Sequence, residues 1–113
     1  MSVTITRLGD TVTAAISGEI DHHTARELRE TIDRGAERCA PGTLVLDLSG
    51  VTFMDSSGIG LIMGRCRLMN ELGGSLRIVG ASGAISRMIK LAGLSRLGIE
   101  CNQPPREGRK KPK

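Results

Sequence analysis

Two hydroxyls stand side by side in Phe53-Met54-Asp55-Ser56-Ser57-Gly58, where an apolar stretch ends and apolar residues begin to recur at helical spacing. A serine at the start of a helix has two chemical uses. Its oxygen can accept a hydrogen bond from the first unpaired backbone N–H groups, or it can face outward as a phosphoacceptor. Asp55, Ser56 and Ser57 are all competent caps, so one can hold the helix while another is modified. A phosphate there adds roughly −1.5 to −2 units of charge next to the positive end of the helix dipole. The fold tolerates that charge, a docked partner does not, and the run is therefore a candidate switch.

Asp21-His22-His23 holds both histidines of the chain. A metal site there, or a hydrolytic triad with Ser56 or Ser57, is poorly supplied. There is no third histidine, adjacent histidines on a turning backbone are expected to diverge, and Asp55 stands where the first glycine of a G-x-S-x-G elbow belongs. A polar turn leading into a helix is the simpler role. Gly58-Ile59-Gly60-Leu61-Ile62-Met63-Gly64 reads G-x-G-x-x-x-G, which misses the dinucleotide fingerprint, and its glycines fall inside the helix instead of before it. Their spacing predicts that Gly60 and Gly64 let the helix pack closely on its neighbours. No catalytic residue, metal or cofactor is expected, and a small nucleotide-binding or hydrolytic α/β protein is the competing reading.

The elements that position these residues are legible from periodicity. Val3 and Ile5, then Val12, Ala14 and Ile16, alternate on either side of Gly9-Asp10, which predicts an opening hairpin. Thr24-Ala25-Arg26-Glu27 has capping-box spacing, and Ala25, Leu28, Ile32 and Ala36 follow at helical spacing to about Arg38. After Pro41-Gly42, Leu44-Val45-Leu46-Asp47-Leu48 reads as a central strand covered on both faces. Ile59, Ile62, Met63, Cys66 and Met69 then recur as a helix until Gly73-Gly74. Leu76–Val79 is a further strand, Ala84–Ala92 a helix closed by Gly93 and Leu94, and Ile99 and its neighbours a last edge strand. Alternation of strand and helix predicts a single α/β domain: a mostly parallel sheet of four to five strands, one antiparallel edge strand, and helices packed against it.

The chain has 113 residues, enough for one core without disulfides. Cys39, Cys66 and Cys101 are odd in number and widely spaced, so reduced thiols are expected. Residues 1–103 carry 11 Lys+Arg against 11 Asp+Glu, and the net charge of +4 resides wholly in Pro104–Lys113. The domain is placed at residues 1–102 and a basic, disordered tail at 103–113. With Phe53 the sole aromatic, no stacking platform for bases exists, and no direct DNA binding is expected, although the tail leaves a nucleic-acid-binding alternative. No apolar run approaches membrane-spanning length, so a cytoplasmic protein without membrane association is expected.

Two stretches together, GEIDHHTA (Gly18–Ala25) and FMDSSGIGLIMGR (Phe53–Arg65), resemble the anti-sigma factor antagonists of the STAS domain family. The similarity runs from about Met1 to Ile99, and the paired histidines favour the sporulation branch over the general stress-response branch. The resemblance implies a partner-switching protein and not an enzyme. Unmodified, it would bind an anti-sigma factor that is also a serine kinase and so free a sigma factor. It implies phosphorylation of the first serine of D-S-S-G, Ser56, and reactivation by a PP2C-type phosphatase. It also implies partner contacts through Asp21, His22, His23, Asp55, Ser57 and Gly58, and through Ile59 and Leu61 at the start of the helix. Asp47 within the strand and the basic tail depart from the family pattern.

Overall fold

A computed structural model describes residues 1–39, 42–94 and 100–103. The hairpin closes at Gly9-Asp10: β1 (Ser2–Leu8) pairs antiparallel with β2 (Thr11–Ile20), and Leu8 faces Thr11 across the turn. Gly9 takes a φ of 62°, a left-handed conformation that only glycine adopts at no steric cost. Then follow α1 (Ala25–Cys39), β3 (Thr43–Met54), α2 (Ser56–Glu71), β4 (Ser75–Val79), α3 (Gly83–Leu91) and β5 (Glu100–Gln103). β2, β3, β4 and β5 are parallel neighbours, so the five strands lie in the order of the chain. The edge strand predicted around Ile99 is met by β5, which takes in Gln103 from the predicted tail at 103–113; Ile99 itself and residues 104–113 lie outside the described residues.

Strand order has a direct consequence for burial. When each parallel crossover is right-handed and each new strand adds on the same side, every crossover helix falls on the same face of the sheet. One face is therefore dry and the other open. Leu44, Leu46 and Leu48 are at most 1% exposed, whereas Val45 and Asp47 between them are only half-buried. This corrects the expectation that β3 is covered on both faces. The open face continues sideways through Thr6, Thr13 and Arg77, which pair in register with one another or with Val45. On the dry face, Val12, Ala14, Leu28, Ile32, Leu46, Met69, Ile78 and Ile89 belong to a single core drawn from all three helices. Cys66 is buried in that core, and the side chains of Cys39 and Cys101 lie outside the described part.

Helix ends follow local chemistry. Past α2, the Gly74 N–H donates to the Met69 carbonyl (2.8 Å) and the Gly73 N–H to that of Asn70 (3.2 Å). Those are the two bonds of a Schellman stop, with Gly73 at φ 80°. Ser82 caps α3 by accepting from the Ile85 N–H at 3.3 Å. Gly60 and Gly64 depart from expectation: a Cβ built on either meets nothing within 4 Å. Their four-residue spacing does place them on one side of α2, but that side faces the gap toward α1 and not a packed neighbour. Two helical glycines, each costing about 1 kcal/mol of propensity, are thus left without a packing reason.

One charged contact joins α1 to α2. Arg65 is 5% exposed; its Nε lies 2.7 Å from Asp33 Oδ1, and its Nη1 donates to the Leu61 carbonyl at 3.3 Å. The Nε–H does not align with the carboxylate oxygen well enough for a hydrogen bond, so the contact is an ion pair held by charge. Burial outweighs attraction on both sides. It raises the Asp33 carboxyl above its usual range despite Arg65, and lowers the Arg65 guanidinium despite Asp33. The pair fixes how the two helices sit more than it adds net stability. Asp33→Ala, which strands the buried guanidinium, is expected to cost about 1–3 kcal/mol in urea denaturation. Asp33→Leu combined with Arg65→Met should recover most of that loss, and a double-mutant cycle measures the coupling.

Candidate functional site

Parallel pairing sets Ile20 opposite Met54, and the Asp55 N–H donates to the Ile20 carbonyl at 3.2 Å. The two turns that follow these strands, at Asp21–Thr24 and Asp55–Gly58, therefore stand side by side at the C-terminal edge of the sheet. That edge is where open α/β sheets place their binding sites.

The first turn is organised by Asp21. Its Oδ1 accepts from the N–H of His23 (2.9 Å) and of Thr24 (3.1 Å), while the Asp21 N–H donates to Thr24 Oγ1 at 3.0 Å. This is a reciprocal capping box three residues ahead of the one predicted at Thr24-Ala25-Arg26-Glu27. The shift has a physical reason: the Thr24 hydroxyl already accepts from the Asp21 N–H while donating to the Glu19 carbonyl at 3.0 Å. Desolvation pushes the Asp21 carboxyl up, but the two backbone donors, the neighbouring His23 and the Thr24 hydroxyl together hold it below its ordinary 3.8. His22 and His23 are exposed, and their ring centroids lie 4.0 Å apart at 37°. The expected divergence of the two rings is not observed, because both sit in one tight turn that directs them to the same side. Among the described residues no group of three His, Cys, Asp or Glu side chains is arranged to hold a metal.

The second turn is capped by Asp55, whose Oδ1 accepts from the Ser57 N–H at 2.8 Å. Neither serine is needed for capping. Ser56 is exposed in the first turn of α2, and Ser57 is half-buried. Asp21, His22, His23, Asp55, Ser56 and Ser57 thus meet at one surface, with Ile59 partly buried behind them. Gly58 and Leu61, expected among the contacts, face inward. A Cβ on Gly58 would collide with the Met54 side chain and lie 3.3 Å from Ile20, and Leu61 is 5% exposed within the core. Gly58 shapes the turn, and Leu61 shows only a small part of its side chain, toward α1.

Two features here escape a reading of local spacing. Phe53, the sole aromatic, is 49% exposed just before the turn. Between α1 and α2 runs an open groove of ≈ 670 Å³ that bears Arg26, Arg29, Arg65 and Arg67 and reaches His22 and Ser57 at the turns. The arginine spacing along two separate helices was the available signal, but only their packing brings the four together. No described helix is long and apolar enough to cross a membrane.

The STAS domain model matches residues 2–103. The chain belongs to the STAS domain family. It is 37% identical over 82 residues to the anti-sigma F factor antagonist of Paenibacillus polymyxa, covering 73% of this chain and 70% of that relative. It is also 37% identical over 79 residues to the anti-sigma-B factor antagonist of Bacillus subtilis (strain 168), covering 70% and 71%. Among solved structures, the anti-sigma factor antagonist SpoIIAA in its unphosphorylated form matches with a TM-score of 0.76 at 25% identity, over 90% of this chain and 89% of that one. The phosphorylated form of SpoIIAA, a Bacillus cell fate determinant, matches with a TM-score of 0.70 at 25% identity, over 90% and 92%. Such STAS proteins are regulatory binding proteins and not enzymes.

The lowered Asp21 carboxyl fixes a pH dependence. A depressed folded-state value means that the stabilisation is complete above the unfolded value near 3.8 and is lost as pH falls through the folded value. Asp21→Ala should melt below the native chain at about pH 7, and the gap should close as acid protonates the native carboxylate. A gap that stays constant down to about pH 2 would show that the charge contributes nothing to the turn.

Proposed function

We propose that this chain is an anti-sigma factor antagonist that exchanges partners according to the phosphorylation state of Ser56. Unmodified, it binds an anti-sigma factor that is also a serine kinase and thereby releases a sigma factor. Transfer of a phosphoryl group to Ser56 ends that binding, and a PP2C-type serine phosphatase restores it. The observation that carries this reading is the division of labour at the α2 N-terminus. Asp55 caps the helix, so the Ser56 hydroxyl stays exposed and free to be modified. The named relatives, antagonists of anti-sigma F and anti-sigma-B factors, support the partner class.

The energetics favour a change of partner without a change of fold. At the first turn of α2 a phosphate meets the positive end of the helix dipole, an interaction worth about 0.3–1 kcal/mol when exposed. On the docking side it adds charge and bulk beside Asp21 and Asp55. A misplaced charge in a desolvated interface costs about 2–5 kcal/mol, or roughly 30-fold to several thousand-fold in affinity. The penalty on binding is the larger effect.

With ATP, Mg²⁺ and an anti-sigma factor kinase, mass spectrometry should find one phosphate, on Ser56. Ser56→Ala should accept none and bind the kinase constitutively. Ser56→Glu should bind at least about 30-fold more weakly while its unfolding midpoint stays close to that of the native chain. Ser56→Ala remaining a full substrate, or Ser56→Glu binding undiminished, overturns the assignment.

A further inference from the structure

The groove between α1 and α2 combines two features that the Ser56 switch does not use. Its charges are all of one sign on the lining: Arg26 and Arg29 from α1, Arg65 and Arg67 from α2, and no carboxylate. Nearby acids are already engaged, Glu30 by Arg26 at 3.5 Å and Asp33 by Arg65 at 2.7 Å. Arg29 and Arg67 are exposed and have no ion pair among the described residues. The second feature is the floor. Gly60 and Gly64 leave open space where any other residue would project a side chain, at a cost in helix stability that packing does not explain.

We propose that this groove receives an extended acidic peptide segment of a protein partner. Its carboxylates would lie on Arg29 and Arg67, and its backbone would pass over Gly60 and Gly64. Arg–carboxylate pairing is directional and bidentate, which suits an ordered segment better than a diffuse ion atmosphere. The strip formed by Ala25, Gly60, Leu61 and Gly64 offers small and apolar surface between the charged rims, as a peptide backbone with alternating side chains requires. Because the groove reaches His22 and Ser57, a protein docked on the paired turns already lies over its mouth. Assigning the segment to that same protein rests on the functional reading above; the groove's affinity for an acidic peptide does not.

The test uses the full chain, labelled with ¹⁵N and titrated with a capped hepta-glutamate peptide. The Gly60 and Gly64 amide signals should shift saturably. Arg29→Glu combined with Arg67→Glu should weaken binding at least about tenfold. Gly60→Ala combined with Gly64→Ala is the decisive variant: it should unfold at an equal or higher urea concentration, since alanine suits a helix better, yet bind about tenfold more weakly. The basic tail is common to all these proteins and cancels in the comparison. Shifts confined to residues 104–113, unchanged affinity in both variants, or saturable binding of inorganic phosphate without binding of the peptide would each overturn the proposal. No kinase enters the measurement, so failure here leaves the Ser56 reading standing, and failure to phosphorylate Ser56 leaves peptide binding standing.

Discussion

The carboxylate of Asp55 on the Ser57 N–H is the contact on which the rest of the site depends. A helix N-terminus presents unpaired donors, and something must accept from them. If Ser56 or Ser57 did so, the hydroxyl proposed for phosphorylation would be tied into the fold and turned away from a kinase. With Asp55 in that role, capping and modification fall to different residues. The same aspartate also ties the turn to its neighbour, since its N–H reaches the Ile20 carbonyl across the strand pair. One residue thus ends β3, starts α2 and places the second turn against the first.

Sheet topology carries this arrangement further. Strands added in chain order leave one face of the sheet open and gather all three helices on the other. α1 and α2, emerging from adjacent strands, run side by side and are held in position by Arg65 and Asp33. Their N-terminal ends bear the two aspartate-centred turns, and their facing sides form the arginine groove. Dense core packing below and polar turns above separate the rigid body of the domain from the surface proposed to meet a partner.

Much of this was legible because the signals are local. Gly9-Asp10 closes the hairpin, Gly73-Gly74 stops α2, and the periodicity of Leu28, Ile32 and Ala36 marks the buried side of α1. The misreadings share a cause: each involved a choice between local alternatives that only tertiary structure resolves. Thr24 has the right spacing for a capping box with Glu27, but Asp21 offers an equally good box one turn earlier, and the Asp21 N–H, which takes the Thr24 hydroxyl as its acceptor, decides between them. The apolar run around Val45 fits a doubly covered strand, but strand order leaves one face open. Gly60 and Gly64 have the spacing of a packing motif, and nothing in the sequence tells a contact from a groove.

Electrostatics explain how a small covalent change can act on binding while leaving the domain intact. The body of the chain is balanced, with equal numbers of acidic and basic residues up to position 103, so one phosphate is a large perturbation locally and a small one globally. Exposed charges more than about 10 Å apart are largely screened in physiological salt, which confines the effect to the paired turns and the nearest part of the groove. Asp55 precedes Ser56 and Asp21 stands in the adjoining turn, so negative charge added there would be repelled once a partner excludes water. The positive end of the α2 dipole favours the phosphate while water is present. The sign of the effect would therefore depend on whether a partner is docked, which is what the switch proposed at Ser56 requires.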